Sequence, residues 1–153
     1  MKRVVVEQAT LAELDLAVPL YDAYRQFQGV ASDPKAARRF LAQRLRLGES
    51  VVLLARTAGG GAVGFAQLFH IYSSISLASV YILNDLYVDA SARRAGIAAL
   101  LLDEAERFAR RTGAVRLSLN TAVDNLPAQK LYEARGWSRT DRHYIAYHRN
   151  LEP

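Results

Sequence analysis

"SVYILNDLYVDASARRAGIAALLLDEAERFARR", residues 79–111, decides the reading of this chain. Its first ten residues are apolar at both parities, the pattern of a strand inside a sheet. Val80, Ile82, Asn84, Leu86 and Val88 are predicted on one face, and Tyr81, Leu83, Asp85 and Tyr87 on the other. Small residues then lead through Arg93, Arg94 and Gly96 into a helical repeat. Ala98, Leu101, Leu102, Ala105, Phe108 and Ala109 form the buried stripe of a predicted helix over 96–111. Asp103 with Arg107, and Glu106 with Arg110, are expected as i,i+4 pairs on its outer side.

A strand, a short loop and a helix start together make an anion site. The first helical turn has N–H groups without intrahelical partners, and the helix dipole adds positive potential. Gly96 would let a ligand approach the backbone, and Arg93 and Arg94 add charge. Phosphate or pyrophosphate is the natural ligand. The plainer reading of the same residues is a strand-to-helix turn that needs a glycine. Gly-x-Gly-x-x-Gly and Gly-x-x-x-x-Gly-Lys-Ser/Thr are both absent.

Working outward, "RVVVEQAT" reads as a first strand, and residues 11–28 as an amphipathic helix capped by Thr10 and ended by Gly29. Asp33 and Pro34 start a second helix that stops at Gly48. "SVVLLAR" and "AVGFAQLFHIYS" flank the turn "TAGGGA" as a hairpin. After residue 113 come the strand "AVRLSLNT", a short helix from Pro127 to Arg135 closed by Gly136, and a last strand region, "WSRTDRHYIAYHRN". The order is β-α-α-β-β-β-α-β-α-β, which predicts one α/β domain over residues 1–153 with a mixed central sheet flanked by helices.

Composition narrows the function. The chain has 153 residues, 51% apolar and 23% charged, which is the balance of a folded domain. It has no cysteine, so disulfides and thiolate metal sites are excluded and a cytoplasmic setting is expected. No run predicts a membrane span, and acids come too early for a secretory signal. The formal charge of +5, from 20 basic and 15 acidic residues, fits either a polyanion partner or an arginine-rich surface with an anionic-cofactor site. No aromatic-interleaved basic patch or recognition helix is present, so no nucleic-acid partner is expected. His70, His143 and His148 lie on separate segments without metal-ligand spacing.

The central stretch resembles a motif of the GNAT superfamily of N-acetyltransferases. There a strand ending Leu-x-Val enters Arg/Gln-x-x-Gly-x-Gly/Ala and a helix. Here these positions are Leu86-Tyr87-Val88 and Arg93-Arg94-Ala95-Gly96-Ile97-Ala98. A second motif, Asn-x-x-Ala-x-x-Leu-Tyr-x-x-x-Gly-Phe, is similar to "NLPAQKLYEARGW", Asn125 to Trp137.

The resemblance implies acetyl-CoA as co-substrate. Backbone N–H groups of residues 94–98 would cradle its pyrophosphate. The edge of Leu86–Val88 would pair with the pantetheine arm, where the strands at 79–88 and 114–120 splay apart. Asn125 would hydrogen-bond that arm, and Tyr132 would sit near the sulfur. An amine would attack the thioester directly, after a base removes its proton. A backbone N–H near Val88 would polarise the carbonyl, and Tyr132 would protonate the departing thiolate. Asp85 is the candidate base, its plainer reading being a carboxylate paired with an arginine. "VYILNDLYV" also resembles the strand of diamine acetyltransferases, which have Glu-Asp where this chain has Asn84-Asp85.

Tyr24, Phe27 and Asp33 are candidates for the acceptor side, with Tyr72 and Tyr81 ranked below them. The acceptor implied is a primary amine: a small amine, polyamine or protein lysine. A homodimer through the C-terminal segment "HYIAYHRN" is a further expectation. The competing reading is a non-catalytic acyl-CoA-binding regulatory module.

Overall fold

A computed structural model describes residues 3–153. The chain divides into two compact units, one ending at Asn120 and the other Thr121–Pro153.

The first unit is built on a five-stranded sheet in the order β1-β2-β3-β4-β5. The strands are β1 (Val4–Gln8), β2 (Ser50–Thr57), β3 (Ala62–Ser73), β4 (Ala78–Val88) and β5 (Arg116–Ser118). Neighbours run antiparallel except β4 and β5, which are parallel. The expected helix at 11–28 is a 3-10 turn, Leu11–Glu13, continuing into α1 (Leu14–Phe27). Thr10 and Glu13 form a reciprocal capping box at its start. Helix α2 (Pro34–Arg46) begins as the sequence predicts, with the Asp33 side chain accepting from the Ala36 N–H and Pro34 in the first turn.

Helices α1 and α2 cover one face of the sheet. Leu14, Ala17, Val18, Ala37 and Leu41 bury there against Val52, Leu54 and Phe65. On the opposite face, α3 (Ile97–Arg111) packs its stripe of Leu101, Leu102, Ala105 and Phe108 on β2, β3 and β4. The Glu106–Arg110 pair forms, whereas Arg107 bonds Glu104 one position nearer than the Asp103 expected.

The alternation predicted for β4 does not run the length of the strand. Gln67 of β3 faces Asp85, but its neighbour Leu68 faces Leu83, so Asn84 is an extra residue in β4. This bulge inverts the in/out rule. Before it, Tyr81 packs its ring on Phe108 of α3, 5.4 Å between centroids. After it, Tyr87 lies against Tyr24 and Phe27 of α1. Tyr81 and Tyr87, expected on one face, therefore serve opposite faces.

In the second unit, α4 (Leu126–Ala134) starts one residue before the expected Pro127, with Asn125 as its N-cap. The predicted last strand over 137–150 is not formed. Apolar side chains there fall at both parities, Tyr144 and Ala146 against Ile145 and Tyr147. No single face is marked for burial, and every residue after Trp137 is exposed.

Candidate functional site

The site in the first unit begins where β4 loses its neighbour. Strand β5 pairs only with Val80–Ile82, so β4 from Leu83 to Val88 has an open edge on that side. The N–H of Asp89 bonds the Val63 carbonyl at 2.8 Å. Antiparallel alternation then turns the Val88 N–H away from β3 and onto the open edge. Arg93 reaches back to the same place, its Nε donating to the Val88 carbonyl at 3.1 Å.

Between β4 and α3 the chain makes a 3-10 turn, Ala90–Ala92, capped by Asp89, whose carboxylate accepts from the Ser91 N–H and hydroxyl. Those bonds hold the Asp89 carboxyl below its usual value. Arg94 and Gly96 both have positive φ, 61° and 74°. A non-glycine residue in that region is uncommon, and it turns the chain sharply just before the helix. The first helical bond of α3 runs from the Leu100 N–H to the Gly96 carbonyl. The amides of Ile97, Ala98 and Ala99 therefore precede the ladder and face out of the helix start. A Cβ on Gly96 would meet no protein atom within 4 Å. The backbone angle, rather than crowding, is what demands glycine. Nearby, Gly64 is the crowded one: its Cβ would stand 3.0 Å from the Tyr87 carbonyl oxygen and 3.3 Å from Leu101.

On the α1 side of the sheet, Asp85 is buried at 6% exposure. Gln67 Nε2 donates to its Oδ2 at 2.7 Å, and Asn84 Nδ2 to its Oδ1 at 3.1 Å. No arginine lies within ion-pair distance of it among the described residues, so the paired-carboxylate reading is replaced by an amide-bonded one. Where the diamine enzymes have a second acid, Asn84 supplies a donor. The Tyr21 phenol is pushed above its usual value by burial first and by the Asp85 charge second.

An aromatic wall continues from there. Tyr21 stacks on Phe40 at 6.0 Å and meets Phe65 edge-on at 6.0 Å. Tyr24 lies 5.8 Å from Phe65 and 6.2 Å from Tyr87. Phe27, 65% exposed, leans on Tyr87, and the Arg93 guanidinium lies over both rings at 5.6 and 5.7 Å. Tyr24 and Phe27 thus stand together beside β4. Asp33 is occupied as the cap of α2. Tyr81 is buried on the α3 side, and Tyr72 is exposed beside His70.

Residues that sequence reasoning passed over also belong to this region. Gln67 is the polar exception in an apolar strand. Asp22, buried in α1, accepts from Ser32 Oγ at 2.6 Å, the Asp33 N–H at 2.9 Å and Gln26 at 3.2 Å. A charged residue on the core face of a helix was the available signal.

In the second unit, Asn125 Oδ1 accepts from the Ala128 N–H at 3.3 Å, and Gln129 Nε2 bonds the Ala122 and Val123 carbonyls. These bonds fix the loop before α4. Tyr132 sits 6.1 Å from Trp137, and burial pushes its phenol above the usual value. No cluster of metal ligands occurs among the described residues.

A family model for GNAT acetyltransferases matches residues 17–137. The chain belongs to the GNAT acetyltransferase family. An uncharacterized N-acetyltransferase of Bacillus subtilis is 38% identical over 146 residues, covering 95% of this chain and 97% of the relative. Among solved structures, a probable acetyltransferase superposes with a TM-score of 0.89 at 45% identity, covering 99% of both chains. An aminoglycoside N-acetyltransferase solved in complex with CoA shares the fold, with a TM-score of 0.80 at 20% identity over 98% of this chain and 96% of that one. This GNAT chain is an N-acetyltransferase. No helix among its described residues is long and apolar enough to cross a membrane.

Proposed function

We propose that the protein moves the acetyl group of acetyl-CoA to a primary amine by direct attack, within one domain spanning residues 1–153. The observation that carries this is the open edge of β4 running into a loop with two positive-φ residues and the amides of α3 that precede its ladder. The edge offers a strand's hydrogen bonds to an extended amide-containing arm. The loop at 93–98, with its free N–H groups and two arginines, suits a pyrophosphate. The CoA bound to the aminoglycoside acetyltransferase of the same fold supports that ligand. The family match runs from residue 17 in the first unit to residue 137 in the second, which supports a single domain.

The residues divide the chemistry as follows. Leu86, Tyr87 and Val88 hold the pantetheine arm, with the amide group of Asn125. Arg93, Arg94, Ala95, Gly96, Ile97 and Ala98 hold the pyrophosphate. Asp85, directly or through water, takes a proton from the protonated acceptor, and the neutral nitrogen then bonds to the acetyl carbon. The Val88 N–H stabilises the carbonyl oxygen as negative charge builds on it. As the carbon–sulfur bond breaks, Tyr132 gives its proton to the sulfur. Tyr24 and Phe27 line the acceptor side, with Asp33 holding α2 beside them. The acceptor is a small amine, a polyamine or a protein lysine.

Calorimetry with acetyl-CoA and release of free thiol across an amine panel test this reading. Micromolar binding with amine-dependent thiol release is the expected result. Binding with no thiol released by any amine would leave a regulatory module instead. The lack of cysteine supports a cytoplasmic setting. The exposed Tyr144, Ile145 and Tyr147 support pairing with a second copy through residues 143–150, which the mass in solution checks.

A further inference from the structure

Gln67 lies in the middle of β3 at 1% exposure, flanked by Phe65, Ala66 and Leu68, which are all buried. An amide placed there is expensive unless its polar atoms are paired. Only half of it is. The Nε2 donates to Asp85 at 2.7 Å, while Oε1 has no hydrogen-bond partner among the described residues. A carboxylate only accepts, so the nitrogen must be the atom facing Asp85. A side chain kept for packing alone would be better as leucine or methionine, with no orphan oxygen to bury. The amide is therefore retained for what it does to its cross-strand partner.

That partner is held from several directions. The bulge at Asn84 turns Asp85 onto the α1 side of the sheet, directly opposite Gln67 in the register. Gln67 occupies Oδ2 from the buried side. Asn84 donates to Oδ1 at a longer 3.1 Å and is itself exposed. The carboxylate is thus held at Oδ2 by a buried donor and at Oδ1 by an exposed one, so Oδ1 is the oxygen on the side of the exposed neighbour.

We infer that Gln67 is the positioning residue for Asp85: it fixes the carboxylate so that Oδ1 presents a free lone pair to the acceptor amine. This rests on the reading of Asp85 as the base. In the step it serves, an N–H bond of the acceptor ammonium breaks and an O–H bond forms at Oδ1. The nitrogen lone pair then goes to the acetyl carbon. Gln67 loses and gains no atom in it.

The test is a cycle of Gln67→Met, Asp85→Asn and the double variant, each assayed with two acceptors. One is a strongly basic alkylamine, the other trifluoroethylamine, which is already largely neutral at assay pH. Gln67→Met keeps the length and removes the donor. It is expected to lower kcat/KM for the basic amine by at least ~10-fold, with the KM for acetyl-CoA within about two-fold of the parent. The loss shrinks for trifluoroethylamine, and Gln67→Met adds nothing once Asp85→Asn is present. Equal losses with both amines, or additive losses in the double variant, would overturn the inference. Full activity of Gln67→Met beside a crippled Asp85→Asn removes only the role of Gln67. Full activity of Asp85→Asn removes the base assignment itself. Should Gln67→Met fail to fold, Gln67→Leu removes the same donor with a shorter apolar side chain and must show the same dependence on acceptor basicity.

Discussion

Ser32 donates its hydroxyl to the Asp22 carboxylate at 2.6 Å, tying the link between α1 and α2 back onto the helix before it. That bond, with those from Asp33 and Gln26 and the charge of Arg25, holds the Asp22 carboxyl below its ordinary value despite burial. A carboxylate lowered in the folded state contributes stability above its unfolded pKa. The contribution is lost as pH falls through the folded value. Ser32→Ala is therefore expected to destabilise the protein by about 1.5 kcal/mol at neutral pH. The difference from the parent should fade below roughly pH 4. Denaturant melts of both proteins across pH check the sign.

Tyr132→Phe keeps the ring against Trp137 and removes only the proton. It should lower kcat by about 100-fold and leave acetyl-CoA affinity within about two-fold. Because burial raises the phenol, Tyr132 stays protonated through neutral pH. Loss of activity from its ionisation belongs above the ordinary tyrosine value of ~10. A pH profile of kcat that falls off near neutrality and does so only in the parent would contradict this.

Gly96→Ala and Gly96→Glu separate backbone strain from ligand exclusion. A Cβ here has free space but sits on a backbone with φ +74°. Both variants should lose roughly 1–2 kcal/mol of stability from the left-handed conformation. Only the glutamate, bringing bulk and negative charge to the loop proposed to hold pyrophosphate, should abolish acetyl-CoA binding by calorimetry.

Gly64→Ala acts through crowding alone. With the Tyr87 oxygen at 3.0 Å and Leu101 and Ile97 within 3.4 Å of the new Cβ, β3 must move away from β4 or α3. Overpacking of this kind costs about 1–3 kcal/mol. A thermal melt unchanged from the parent would show that the sheet yields more easily than these distances imply.

Much of this fold was legible because local signals agreed. Asp33 and Pro34 start α2 where they should, Gly96 precedes α3, and the leucine stripe of α3 meets the sheet. What escaped depended on partners far away in sequence. The bulge at Asn84 is a mismatch between two strands and leaves no mark in either one alone. The same holds for Gln67, whose meaning appears only once Asp85 lies opposite it. The last strand was expected in a segment that needs a ladder partner to complete it. The glycine of the loop between β4 and α3 was readable because the turn that requires it is set within a few positions of it.

The extra residue at position 84 also changes how tolerance should be read along β4. Upstream of it, odd-numbered positions answer to the core under α3. Downstream, odd-numbered positions answer to α1 and its aromatic side chains. A library that randomises this strand on one parity rule would disturb the scaffold in one half and the site in the other. Treated as two short strands of opposite phase, residues 78–83 and 85–88, the segment allows the side that meets α1 to be varied while the α3 core is left untouched.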